Sequence, residues 1–510
     1  MASKENSGGF ATRWGLILAA IGMAVGTGNI WRFPRMAAKM GGGSFIIGVV
    51  IAMILWAVPL LIAESVWGNK TRMGCGGSFK KYVGEGWTWA GTAVGLICAG
   101  IAFYYAVVLG WCVRYLVYGI QGILNSGDSA QLWETFSSAT GAASWTLNGA
   151  APWHLISMLV VLVVTLRGIE AGIEKVCKVL IPTLFVLLAI IMVRAVTLPG
   201  AVVGLQFLFQ PDWDSMLTGR LWIEAFTQAA WSTGAGWGLM LTYFIYTKSN
   251  EDTVLNATTV CLGDTSAGLL AVLCVVPTVF ALDPNAAEFL TGTGNNGLVF
   301  VHLVTLFQQM PAGQIIGILF FLALTVAALS STFPMLELVA RFFMDAGFPR
   351  KKALLVGGVI MYALGVPSAM NMNFLDNQDW VWGVGLLASG LFFSLAAIKM
   401  GVDKIWKEDI EPNADLKWPW LFKLIYLFPV WFVIIFGWWI YQAASWYPGE
   451  WWKFWPVYDF AGFSYNYSPG TIFFQWAILF VVVYALRGWL NQKFMYQFDP
   501  QNPEIAKKAF

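Results

Sequence analysis

Residues 13–37 form an apolar run long enough to cross a bilayer as one helix. Its middle, however, reads Gly22-Met23-Ala24-Val25-Gly26-Thr27-Gly28-Asn29. Inside hydrocarbon there is no water to take up backbone N–H and C=O groups, so a spanning segment satisfies them within its own helix or against protein. Three glycines and an asparagine at mid-depth therefore predict a span that comes apart and lines a polar cavity. No other feature of the chain narrows its fold as much.

The rest of the chain places that break in a membrane. Only 11% of residues are charged and 58% are hydrophobic, whereas soluble domains carry about 25% charged residues. A spanning helix needs roughly 20 mostly apolar residues. Twelve segments qualify: 13–37, 42–67, 88–123, 153–170, 174–196, 222–246, 254–282, 311–343, 353–370, 380–400, 420–446 and 470–494. The expected class is an all-α membrane protein of twelve transmembrane helices in contact with the lipid bilayer. A net charge of +2 argues against a nucleic-acid partner. A short polar tail runs straight into the first span, with no pattern of a cleavable signal. Two histidines are too few for a metal centre, and the six cysteines show no ligand spacing, so they read as packing residues. With no nucleophile–base constellation either, no enzyme is expected.

Lys and Arg set the orientation. They occur at Lys70, Arg72, Lys80, Lys81, Arg167, Lys175, Lys178, Arg350, Lys351 and Lys352, but nowhere in loops 124–152, 283–310 and 371–379. Both termini are expected in the cytoplasm, in a multi-pass protein of a prokaryotic plasma membrane. A second interruption, Ser232-Thr233-Gly234-Ala235-Gly236-Trp237-Gly238, falls in segment 222–246. Breaks in the first and sixth spans are five helices apart, which predicts two inverted repeats, 13–196 and 222–400. A tail at 1–12, two additional helices at 420–494 and a tail at 495–510 complete the division. Glycines also serve close helix packing. Two clusters at corresponding positions, each with adjacent Asn, Ser or Thr, favour a binding site for substrate and coupling ions.

Ionisable groups at mid-span are costly and point to function. Here they are Glu64, Glu224, Asp264, Glu337 and Asp379, with Arg32 beside the first break. Arg32 and Asp379 either close an outer vestibule as an ion pair or stand as two independent interfacial charges. Ser330, Ser331 and Thr332 form a hydroxyl run in the eighth span. Beside an unwound first span, such hydroxyls would complete an oxygen shell suited to a hard cation.

On these residues the chain resembles the neurotransmitter:sodium symporter family, in its bacterial, leucine-transporter-like branch. The likeness covers about 10–400. It rests on the glycine-rich run 22–29, Trp31-Arg32-Phe33-Pro34, Gly41-Gly42-Gly43, Tyr104-Tyr105, Gln228, the break at 234–238, Ala327 with Ser330-Ser331, and Asp379. The resemblance implies two sodium ions. One would meet Ala24, Asn29, Ser232 and Asp264; the other Gly22, Val25, Ala327, Ser330 and Ser331. A substrate carboxylate would meet Thr27, Gly28 and Tyr105, with Gly26 leaving room for it. Met23, Ile101, Trp231, Gly234, Trp237, Thr332 and Met335 would surround the substrate side chain, and Arg32 with Asp379 would gate it. The implied substrate is a small neutral amino acid, with hydrophobic or aromatic side chains among those the two tryptophans would suit.

Several positions depart from the family pattern. Asp264 stands where Asn is usual, and Val49 and Gly268 stand where chloride-dependent members have Tyr and Ser. A fixed carboxylate replaces bound chloride electrostatically, so no chloride is expected; a protonated Asp264 would instead allow proton antiport. The inner-gate Arg is missing at Ser7, leaving Lys4 as the neighbour for Asp345. The spacing Gly172 to Pro182 matches a stretch of the fifth span where the family unwinds locally. Alternatives are a betaine-like compatible-solute carrier and a non-transporting sensor on the same scaffold. A monomer or weak dimer is expected.

Overall fold

The computed structural model describes residues 8–125, 127–139, 141–283, 294, 296–455, 458–459, 462–463 and 465–510. Among these, nine helices are long and apolar enough to cross a membrane, and eleven if two bent pairs each count as one span. The first pair is α1 (Arg13–Ala24) and α2 (Thr27–Lys39), bent by 52°. There follow α3 (Gly43–Thr71), α4 (Glu85–Ile120), α5 (Gly141–Leu166) and α6 (Ile169–Val196). Two shorter helices, α7 (Gly219–Thr233) and α8 (Leu239–Phe244), flank the second glycine cluster. Then come α9 (Thr253–Leu282), α10 (Gly313–Asp345), α11 (Arg350–Met370), α12 (Met372–Met400) and α13 (Pro419–Trp446). The last pair, α14 (Pro469–Ala485) and α15 (Arg487–Lys493), bends by 60°, so the apolar run expected at 470–494 is not one straight helix.

Helix starts follow local side-chain chemistry. Thr12 accepts from Gly15 N at 3.0 Å, Asp252 from Leu255 N at 2.9 Å and Asn371 from Phe374 N at 3.1 Å. Each engages one of the orphan amides that every helix N-terminus leaves. At the end of α10, Asp345 pairs with Arg341 at 2.6 Å and accepts from Gly74 N at 2.7 Å. Lys4 and Ser7 lie outside the described residues. Between Gly172 and Pro182 the backbone does not come apart: a π-helical turn at Ile169–Glu174 runs into a helix that continues through Pro182.

α4 and α12 are the most enclosed of the long helices, followed by α3 and α10, and α13 presents Val430, Val433, Ile434 and Tyr441 outward, as lipid contact requires. All six cysteines are free and buried. One close approach matters for the site. A Cβ added at Gly68 would lie 2.1 Å from Leu241 O, so α3 runs directly against α8. Glu64, one turn earlier on the same face of α3, is thereby carried onto the second break.

Candidate functional site

The first break is a rerouting of backbone hydrogen bonds. Val25 N still closes the last turn of α1 on Ile21 O at 2.7 Å. The next amide, Gly26 N, donates instead to Asn29 Oδ1 at 3.1 Å, and Thr27 N donates to the Tyr105 hydroxyl at 3.2 Å. Asn29 N turns back to Gly26 O at 3.3 Å. The carbonyls of Gly22 and Val25 consequently lose the i+4 amides that a continuous helix would offer them.

Those two carbonyls converge on α10. Ser331 Oγ lies 3.1 Å from Gly22 O, 3.3 Å from Val25 O and 3.1 Å from Ala327 O, while Ser330 Oγ lies 3.0 Å from Ala327 O. A serine hydroxyl carries one proton and so cannot serve three carbonyls at once. Five neutral oxygens gathered around too few donors fit a hard cation.

A second cluster is built on a carboxyl group. Asn29 Nδ2 donates to Ser232 Oγ at 2.9 Å and to Asp264 Oδ1 at 2.8 Å, and Ser232 Oγ donates to Asp264 Oδ2 at 2.7 Å. Asp264 is fully buried, and no basic side chain acts on it among the described residues. A buried carboxylate with no cation beside it is costly. A positive ion at the Asn29–Ser232–Asp264 side of the break, or a proton on Asp264, would offset that cost.

The second break is built differently. Gly234, Gly236 and Gly238 have φ of +67°, +90° and +80°, which no helix interior tolerates. Glu64 receives the freed amides: Oε1 accepts from Gly236 N at 2.5 Å and Oε2 from Leu241 N at 3.3 Å. Glu64 thus caps the start of α8 with both of its carboxyl oxygens. Its intramembrane position marked it in the sequence, but the break it serves did not follow from spacing.

Between the breaks lies a cavity of about 470 Å³. Met23, Ala24, Gly26, Thr27, Gly28, Asn29, Tyr105, Trp231, Ser232, Gly234, Trp237, Ser331 and Met335 line it. Trp231 and Trp237 meet edge to face, with centroids 5.8 Å apart, and Trp237 Nε1 donates to Ala230 O at 3.3 Å. The cavity continues past Arg32, Tyr104, Gln228, Asp376, Asp379, Trp380, Trp439 and Tyr467. The last three aromatics were not anticipated. Trp439 and Tyr467 belong to the C-terminal segment that the repeat argument set aside, and Trp439 Nε1 donates to Thr227 Oγ1 of α7 at 3.1 Å.

Three expectations fare differently. Ile101 and Thr332 do not line the cavity. Ile101 sits one turn before Tyr104 and Tyr105, which with Val108 and Trp111 are the residues of α4 that reach it, and the Thr332 hydroxyl donates to Ala328 O at 2.7 Å. Arg32 and Asp379 both line the cavity but are not joined. The guanidinium spans Glu224 Oε2 at 2.9 Å and Gln228 Oε1 at 2.6 Å. Glu224 and Gln228 are four residues apart on α7 and share a face, which suits the two-pronged geometry of arginine.

Residues 8–145 and 140–487 match the profile described as "Sodium:neurotransmitter symporter family". The chain belongs to the sodium:neurotransmitter symporter family. An uncharacterized sodium-dependent transporter of Methanocaldococcus jannaschii is 30% identical over 415 residues, covering 78% of this chain and 81% of the relative. Another, from Bacillus subtilis, is 29% identical over 448 residues, covering 84% and 96%. Among solved structures, MhsT in complex with L-phenylalanine aligns with a TM-score of 0.71 at 31% identity, covering 84% of this chain and 99% of that one. This symporter-family chain is accordingly a sodium-dependent membrane transporter and not an enzyme.

Proposed function

We propose that this protein is a sodium-coupled importer of a neutral amino acid with a hydrophobic or aromatic side chain, working by alternating access and without chloride. The observation that carries the reading is convergence: both breaks open onto one cavity, and the oxygens they free stand beside it in two clusters. One sodium ion belongs with Ala24, Asn29, Ser232 and Asp264, the other with Gly22, Val25, Ala327, Ser330 and Ser331. The substrate carboxylate belongs at Thr27 and Gly28, where half-helix amides favour an anion, with the Tyr105 hydroxyl opposite. Gly26 keeps that space free, since even a Cβ there would stand 2.9 Å from the Tyr105 oxygen.

Trp231, Trp237, Met23 and Met335 supply an apolar lining for the side chain. The solved structure of MhsT holds L-phenylalanine, which supports an aromatic substrate here. The Asp264 carboxylate stands in for chloride. Twelve crossings in two inverted five-helix repeats, with both ends cytoplasmic, let one half rock against the other. Closing the outer side joins Arg32 to Asp379. Each sodium ion entering down 100 mV and a tenfold gradient releases about 2.3 plus 1.4 kcal/mol, so two ions provide roughly 7 kcal/mol.

The test is uptake of radiolabelled amino acids into proteoliposomes under an inward sodium gradient. Accumulation above the outside concentration is expected for hydrophobic amino acids and should vanish when potassium replaces sodium. Binding without accumulation would mark a sensor, and preference for betaine would mark a compatible-solute carrier.

A further inference from the structure

The indole of Trp231 occupies space that any other residue at position 383 would fill. A Cβ built on Gly383, in α12, would stand 2.0 Å from Trp231 Cζ2, 2.6 Å from Cη2 and 3.2 Å from Cε2. The ring is therefore lodged in a recess whose floor is the bare backbone of α12. Trp237 also meets the ring in an edge-to-face contact, with centroids 5.8 Å apart. With α12 behind the ring and Trp237 beside it, the open direction left is the cavity, which Trp231, Trp237 and Gly383 all line.

We infer that Gly383 is a positioning residue that sets the upper size of the transported side chain, by letting the Trp231 indole stand back from the cavity. The inference deepens the amino acid reading above and rests on it. Carbon atoms in ordinary contact lie about 3.5–4.0 Å apart. A methyl at 383 thus drives the ring about 1.5 Å or more toward the substrate. A large aromatic side chain loses its room and a methyl side chain does not. Because the conflict involves the six-membered part of the indole, a smaller ring at 231 removes it.

The experiment compares wild type, Gly383→Ala, and Gly383→Ala combined with Trp231→Phe, each purified and reconstituted. Two readouts are taken: melting temperature, and sodium-driven uptake of radiolabelled L-alanine, L-leucine, L-phenylalanine and L-tryptophan. Gly383→Ala is expected to raise the half-saturating concentration of phenylalanine and tryptophan about tenfold or more, and that of alanine about twofold at most. It should also lower the melting temperature, because an overpacked contact is strained. Trp231→Phe should recover both the aromatic substrates and the melting temperature. Equal loss across the four substrates, no loss at all, or a double variant that melts no higher than the single one would each overturn the inference. If wild type accumulated none of the four, the amino acid reading would fall, while the melting series would still decide whether the recess exists.

Discussion

Ser331→Ala tests the cation reading most directly. The Ser331 hydroxyl is the group that ties α1 to α10, standing 3.1 Å from Gly22 O, 3.3 Å from Val25 O and 3.1 Å from Ala327 O. Alanine removes that oxygen and leaves the neighbouring carbonyls in place. An interaction between a hydroxyl and a charged partner contributes about 1.5–3 kcal/mol, and each 1.4 kcal/mol is a factor of ten in affinity. Sodium should therefore bind about 10- to 100-fold more weakly. The assay is the melting temperature of purified protein against sodium chloride, with choline chloride holding ionic strength constant. A bound ion stabilises the folded state logarithmically in its concentration, so the curve shifts to higher sodium without changing form. Ser330 reaches only Ala327 O, on its own helix, at 3.0 Å. Ser330→Ala should accordingly shift the curve less. A half-saturating sodium concentration within about twofold of wild type for Ser331→Ala, or a larger shift from Ser330→Ala, would refute the argument.

Four further outcomes follow from the same geometry. Gly26→Asp pushes against the Tyr105 oxygen, 2.9 Å from the new Cβ, and sets a carboxylate where the substrate's own would sit; amino acid uptake should be lost while the protein still folds, as size-exclusion profiles would report. Glu64→Ala strands the Gly236 and Leu241 amides, at about 1–3 kcal/mol for each buried donor. A lower melting temperature is expected, with Glu64→Gln intermediate. Exchanging chloride for gluconate should leave initial uptake unchanged, and a several-fold fall would show that Asp264 does not replace the anion. Glu224→Gln weakens the hold on Arg32, now 2.9 Å from Glu224, and frees it for Asp379. Bound radiolabelled substrate should then leave toward the outside more slowly, and faster release would count against an Arg32–Asp379 closure.

The position of the breaks was legible because glycine has a strong local signature: Gly234, Gly236 and Gly238 adopt φ values that other residues reach only under strain. The destinations of the freed groups were not legible. Gly26 N finds Asn29 three residues away, but Thr27 N finds Tyr105 and Gly236 N finds Glu64, partners 78 and 172 residues distant. Local chemistry says that a group must be satisfied, and only packing says by what. Arg32 shows the same divide. Charge alone allows it Glu224 or Asp379, and the choice falls to the pair Glu224–Gln228, whose shared helix face offers two acceptors at once.

That choice has a mechanical consequence. An arginine already held by one wall of the cavity does not close it. The partner that sequence reasoning assigned to Arg32 lines the same cavity from α12, so in an outer closure that brings α7 and α12 together Arg32 would pass from Glu224 to Asp379. Trp231 lies on α7 with Glu224 and Gln228, and its recess lies on α12 four residues after Asp379. Bringing Arg32 to Asp379 and moving the indole off Gly383 thus involve the same two helices. A closure that brought α7 onto α12 without moving the indole would drive Trp231 into the α12 backbone, so in it the Arg32–Asp379 pair and the Trp231 ring must move together.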